Sequence, residues 1–126
     1  MKVFLVDDSA IIRQRLKRIL GQVDGIQIVG EAAEAKQATD SILEIKPNVV
    51  LLDIQLARGT GIEVLRAIKD LTPMPTVIVL TNYPYPEFRS KYMKAGADYF
   101  LDKATEFDKL APVLKDLAAS QDLYPA

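Results

Sequence analysis

The chain contains no histidine, no cysteine and no tryptophan. The first absence is the most informative, because it excludes Ser-His-Asp and Cys-His catalysis, imidazole metal sites and any role as a phosphohistidine donor. Without cysteine there is no disulfide framework and no thiolate site, which suits the cytoplasm. No apolar run approaches the ~20 residues that cross a bilayer. Met1-Lys2 leads straight into a short strand-like run, with no secretory leader pattern. Neither sign of charge is in excess: 16 basic and 17 acidic residues give a net charge of −1. Bulk electrostatics therefore give no basis for binding nucleic acid or a membrane surface. Any chemistry must run on carboxylates, hydroxyls and amines.

What is present is a chain of 126 residues, 49% hydrophobic and 26% charged, enough for one domain with one well-buried core. We read it as a single domain over residues 1–120 with a short tail over 121–126, fraying from about Ser120. Apolar runs rich in β-formers alternate five times with helical patterns. Val3-Phe4-Leu5-Val6 ends at Asp7-Asp8, and Ser9 can cap a helix with Ile12, Leu16, Ile19, Leu20 and Val23 at helical spacing. A more polar strand, Ile26 to Glu31, precedes a helix with Ala35, Ala38, Ile42 and Ile45 on one face, stopped by Lys46-Pro47. Val49 to Leu52 runs into Asp53, and a turn at Arg58-Gly59-Thr60-Gly61 opens a helix with Leu65, Ile68 and Leu71 on its buried face. Thr76 to Thr81, a short helix from Glu87 to Ala95, and a strand from Asp98 to Leu101 follow. The last helix carries Phe107, Leu110, Ala111, Leu114, Leu117 and Ala118. Pro112 falls inside it, so this helix either begins near that residue or kinks there.

Such alternation predicts an α/β fold of the flavodoxin-like kind: a five-stranded parallel sheet with helices on both faces. The first, third and fourth strands are near-continuous apolar runs and belong in the centre; the second and fifth belong at the edges. Strand order 2-1-3-4-5 satisfies this and brings Asp7, Asp8, Asp53, Thr81 and Lys103 to the carboxyl edge, where open α/β sheets bind their ligands. Taken singly, these residues have plainer roles as first-turn acids, a loop cap, a β-former and a solvated lysine. Their convergence on one edge is what helix capping alone does not produce.

Carboxylates held that close repel by roughly 4 kcal/mol per pair at about 4 Å and an effective dielectric of about 20. A divalent cation relieves this, and an all-oxygen site without His or Cys suits Mg²⁺. A metal, a lysine and a hydroxyl beside one carboxylate make a phosphoryl-transfer site, with Asp53 attacking phosphorus to become an aspartyl phosphate. Lys103 and Thr81 would contact phosphoryl oxygens. Arg58-Gly59-Thr60-Gly61 lacks the Gly-Lys-Ser/Thr of a nucleotide loop, so the phosphoryl group must come from a phosphorylated partner or a small phosphodonor.

Four motifs in order, Val6-Asp7-Asp8-Ser9, Leu52-Asp53-Ile54-Gln55, Leu80-Thr81-Asn82 and Ala95-Gly96-Ala97-Asp98-Tyr99-Phe100-Leu101-Asp102-Lys103, carry a resemblance. From residue 2 to about 119 the chain resembles the receiver domain of two-component response regulators, in a stand-alone form. The resemblance implies that Asp53 accepts phosphate from a sensor histidine kinase or a histidine phosphotransfer protein. It implies Mg²⁺ held by Asp8, Asp53 and the backbone carbonyl of Gln55, with Asp7 acting through water. It also implies contact of Lys103 with the phosphoryl group, movement of Thr81 toward it and an inward turn of Phe100, which together reshape a face that binds an unidentified downstream protein. Three positions depart from the family pattern. Ala104 replaces a proline and predicts a trans peptide after Lys103. Ala57 replaces another proline, and Asn82 is bulkier than the usual small residue, which narrows access. Gln55 and Tyr83 occupy positions that tune dephosphorylation in the family.

Two further classes compete with the phosphoacceptor reading. A phosphate-independent interaction module on the same fold would typically have lost one of Asp7, Asp8, Asp53 or Lys103, and all four are present. A turnover Mg²⁺ phosphatase would carry a second acid two residues after its nucleophile, where this chain has Gln55. The segment Tyr83 to Pro86, with Phe88, Arg89 and Tyr92, either contributes to a docking surface or packs locally.

Overall fold

The computed structural model describes residues 1–123, and the side chains of residues 1–120. Its elements are β1 (Lys2–Val6), α1 (Ala10–Leu20), β2 (Gln27–Ala32), α2 (Ala35–Ile45), β3 (Val49–Leu52), α3 (Gly61–Ile68), β4 (Thr76–Thr81), α4 (Pro86–Lys94), β5 (Tyr99–Asp102), a 3-10 turn (Phe107–Lys109) and α5 (Leu110–Leu123). The five strands form one parallel sheet in the order β2-β1-β3-β4-β5. Both the order and the edge positions of β2 and β5 are those the sequence predicts.

Successive residues of a strand face opposite sides of the sheet, so a strand covered on both sides must be apolar throughout. Here Phe4, Val6, Val50, Leu52, Val77, Val79 and Phe100 build one layer with α2 and α3. Val3, Leu5, Val49, Leu51, Ile78, Leu80 and Leu101 build the other with α1 and α5. The polar group of each central strand then comes at its carboxyl end, where the chain leaves the sandwich. That is how an ordinary packing requirement delivers Asp7, Asp53 and Thr81 to a single edge.

Local signals act as expected at most boundaries. Ser9 caps α1, its side chain accepting the Ile12 N–H at 3.2 Å. Lys46 takes the left-handed conformation (φ 55°) that ends α2 immediately before Pro47. Pro112 sits in the first turn of α5, after the 3-10 turn, so the helix starts beside it rather than kinking. Val23 and Leu71 are corrections: both lie past the ends of α1 and α3, in the turns that follow them. The strands β2 and β5 sit one residue further along than the sequence placed them. The tail expected from Ser120 is helical in backbone as far as Leu123, and residues 124–126 lie outside the described residues. Thr72–Pro73 is the one cis peptide among the described residues, so Lys103–Ala104 is trans, as alanine at 104 predicts.

Gly30, opposite Phe4 in the β1–β2 pairing, leaves room for that ring. A Cβ there would lie 2.6 Å from Phe4 Cε2. Gly30→Ala is therefore expected to destabilise the domain by about 1–3 kcal/mol through overpacking. Phe4→Leu in the same chain should recover part of the loss. Urea titrations of the two single variants and the double variant measure this, and strict additivity would rule out the clash.

Candidate functional site

The site forms where four strands, β1, β3, β4 and β5, end together. Asp53 follows β3, its N–H donating to the Val6 carbonyl at 2.9 Å, which locks it beside Asp7. Lys103 follows β5 and is tethered in the same manner, its N–H donating to the Thr81 carbonyl at 2.8 Å. From there its ammonium reaches back across the edge. Lys103 Nζ lies 2.6 Å from Asp7 Oδ2 and 3.0 Å from Asp53 Oδ2. The other oxygens of both carboxylates are taken by backbone amides: Ser9 N–H donates to Asp7 Oδ1 at 2.9 Å, and Ile54 N–H to Asp53 Oδ1 at 2.7 Å.

Asp7, Asp53 and Lys103 are buried, whereas Asp8 is exposed at the rim. Carboxylate oxygens of Asp7, Asp8 and Asp53 all lie within 4.8 Å of one another. One ammonium is thus shared by two carboxylates, with a third close by at the rim. Burial pushes the Asp53 carboxyl above its usual range, with the neighbouring Asp7 adding to the rise and Lys103 and the Ile54 amide opposing it. Burial works against the charged form of Lys103, but its contacts with Asp7 and Asp53 outweigh that and raise it above its usual value.

An open depression of about 490 Å³ gives access from solvent to Asp53 and Lys103. Asp8, Ser9, Gln55 and Asn82 also line it, with Asn82 exposed at the rim. Thr81 is fully buried and does not line it; its Oγ1 accepts the Tyr83 N–H at 2.9 Å. Gln55 is exposed, its backbone bridged to Thr60 in the loop that leads to α3. Ala57 donates its N–H to the Ala33 carbonyl at 3.0 Å, a bond that proline could not make. Phe100 is already buried, its ring centre 6.3 Å from that of Tyr92.

The structure thus brings Asp7, Asp8, Asp53 and Lys103 together, holds the Thr81 hydroxyl back from the depression, and adds residues that the sequence does not reveal. Arg13 donates to the Asp7 carbonyl at 2.6 Å and to Glu31 Oε1 at 3.0 Å, fastening α1 and β2 beneath the acidic pair. Its only sequence signal is a basic residue one turn into a capped helix. Gly61 is needed because a Cβ there would lie 2.3 Å from the Asp53 carbonyl oxygen. Tyr92 corrects the docking-surface alternative at one position, since it is buried in the core on the α3 side. Tyr83 and Tyr85 are exposed, and the Tyr85 ring packs 5.9 Å from Phe88.

The family model for the response regulator receiver domain matches residues 3–115, from β1 into α5. The chain belongs to this family. Among curated proteins it is 33% identical over 123 residues to the DNA-binding transcriptional activator DevR/DosR of Mycobacterium tuberculosis, covering 98% of this chain and 57% of that one. It is 29% identical over 121 residues to the response regulator GacA of Pseudomonas aeruginosa, covering 96% and 56%. The receiver domain thus spans little more than half the length of these relatives. Among solved structures, the response regulator domain of Thermotoga maritima CheB superposes with a TM-score of 0.82 at 28% identity, covering 95% of this chain and 94% of that one. A LuxR-family response regulator from Aurantimonas gives 0.85 at 28% identity, covering 94% and 85%. No helix among the described residues is long and apolar enough to cross a membrane.

The electrostatics of this receiver domain have signed consequences. Because the folded Asp53 pKa is raised, its ionised form opposes folding at neutral pH, and that penalty fades as pH falls through the raised value. Asp53→Asn should therefore melt at a higher temperature than wild type near pH 7. The gap should close toward pH 4. Lys103 has the opposite sense: its pairing supports the fold below its ordinary lysine value and is lost as pH rises through the raised one. Thermal melts across pH measure both, and an unchanged gap in acid would refute the Asp53 assignment.

Proposed function

We propose that this receiver domain is a phosphoacceptor switch in which Asp53 takes a phosphoryl group from a histidine of a sensor kinase or phosphotransfer protein. The observation that carries the reading is the shared ammonium: Lys103 bridges Asp7 and Asp53 at the floor of a solvent-open depression. One Asp53 oxygen attacks phosphorus in line, the P–N bond to the donor imidazole breaks, and the electron pair leaves with that nitrogen, which takes up a proton. Lys103 is placed to exchange part of its contact with Asp53 for a phosphoryl oxygen, staying anchored on Asp7. The Thr81 hydroxyl would have to give up the Tyr83 amide to reach the phosphoryl group. That exchange would link phosphorylation to the loop before α4, while Phe100 sits between that loop's helix and the sheet.

The donor set fits Mg²⁺. Three carboxylates converge within 4.8 Å, with one ammonium to offset them and no nitrogen or sulfur ligand in reach. Asp8, Asp53 and the Gln55 carbonyl would hold the ion and Asp7 would act through water, and the ion supplies charge neutralisation for the phosphoryl oxygens. A near-neutral net charge supports a protein partner rather than nucleic acid or a membrane surface, and the absence of cysteine supports a cytoplasmic setting. The presence of the complete acid and lysine set favours phosphotransfer over a phosphate-independent interaction module. We place the switch within residues 1–120 and leave the downstream partner open.

Intact-mass spectrometry after incubation with acetyl phosphate tests this reading. Wild type with Mg²⁺ should gain one phosphoryl group, and Asp53→Asn should gain none. Omitting Mg²⁺ should slow labelling by about 100-fold or more, the scale of one lost charge-stabilising interaction. If neither acetyl phosphate nor a phosphorylated histidine kinase labels wild type, the phosphoacceptor reading fails.

A further inference from the structure

Helix α4 is polar, and Tyr92 is its one buried residue. Glu87, Arg89, Ser90, Lys91, Met93 and Lys94 are exposed, and Phe88 is half-buried against the same cluster as Tyr92. The position of this helix therefore hangs largely on where Tyr92 is held. Its ring packs on Phe100, and its hydroxyl reaches the beginning of α3.

That beginning lacks an ordinary cap. Thr60 occupies the N-cap position without a side-chain bond to the helix. The Gly61 N–H is satisfied by the Ile54 carbonyl at 2.7 Å. The tip of Tyr92 lies against this first turn, its hydroxyl close to the Gly61 backbone. Burial pushes this hydroxyl up to about 12, so it stays neutral and keeps its proton across physiological pH. A Cβ built on Gly61 would be 2.3 Å from the Asp53 carbonyl oxygen and 3.2 Å from the Tyr92 hydroxyl. The backbone of Asp53, the start of α3 and the tip of Tyr92 thus crowd around one hydrogen-sized gap.

We infer that Tyr92 is a positioning residue whose hydroxyl packs against the start of α3 and ties the backbone of Asp53 to the exposed face of α4. Its signalling meaning rests on the phosphoacceptor reading, but the mechanical link does not. A change of charge on Asp53 alters the loop from Ile54 to Gly61, and the hydroxyl passes that displacement to a helix held otherwise by half-buried Phe88 and by Arg89, which donates to the Phe100 carbonyl at 3.2 Å. The route runs through β3, α3 and α4, separate from Thr81 and its own loop.

The test is a double-variant cycle on the full chain, read by amide hydrogen exchange of α4 residues 89–94. Asp53→Asn mimics loss of the site's charge without any ligand. In the Tyr92 background it should change α4 protection by about threefold or more, the scale of coupled neighbours. In a Tyr92→Phe background, which keeps the ring, the response to Asp53→Asn should largely vanish. Gly61→Ala, which forces the same contact apart from the loop side, should abolish the response as well, and it stands in if Tyr92→Phe folds poorly. An Asp53→Asn response that is absent in wild type, or equal in all backgrounds, overturns the inference; a uniform loss of protection in Tyr92→Phe with an unchanged response shows only a packing role and overturns it too. Labelling by acetyl phosphate is measured on the same samples, and its failure in wild type would sink the phosphoacceptor reading while leaving the exchange result to judge Tyr92.

Discussion

One ammonium between two buried carboxylates is the constraint on which this domain's carboxyl edge is built. Lys103 satisfies Asp7 and Asp53 together, and both acids are otherwise committed to backbone amides. Buried charge is tolerated only when paired and hydrogen-bonded. Removing the lysine would leave two carboxylates facing a third, and removing either acid would leave the lysine with a single partner. The arrangement is satisfied but not neutral. The excess negative charge gives a cationic or strongly polarised ligand something to gain by binding.

Most of this was legible in the chain because packing and chemistry use different residues. The sheet core consumes Val, Ile, Leu and Phe in unbroken runs, so the polar residue that ends each run stands out. Asp7, Asp53 and Thr81 are visible for that reason, and Lys103 by its place after the last strand. Ser9 and Pro47 were legible as local stop and start signals, since capping and proline geometry act within a few residues.

Residues whose role depends on a distant partner were not legible. Tyr92 carries no mark that distinguishes a docking aromatic from a buried one; only the docking of α4 against α3 and β5 decides it. Arg13 looks like any helical base until Glu31 and the Asp7 carbonyl arrive from other elements. Gly61 reads as a turn glycine, whereas its necessity comes from the Asp53 carbonyl pressing against it. Val23 and Leu71 kept a helical spacing after the helices had ended, because a turn that folds back on the core buries its apolar residue equally well.

The separation of the two acids from their lysine along the chain has a bearing on how the protein is made. Asp53 and Lys103 are 50 residues apart, and Asp7 emerges earlier still. During vectorial synthesis the amino-terminal strands leave the ribosome first and begin to collapse while the lysine is still untranslated. At that stage β1 and β3 can bring Asp7 and Asp53 side by side, but without the ammonium that pairs with both in the folded domain. Only when β5 has docked on β4 does Lys103 reach the two acids. Completing this edge therefore requires the chain as far as Lys103, which follows the strand at the far side of the sheet.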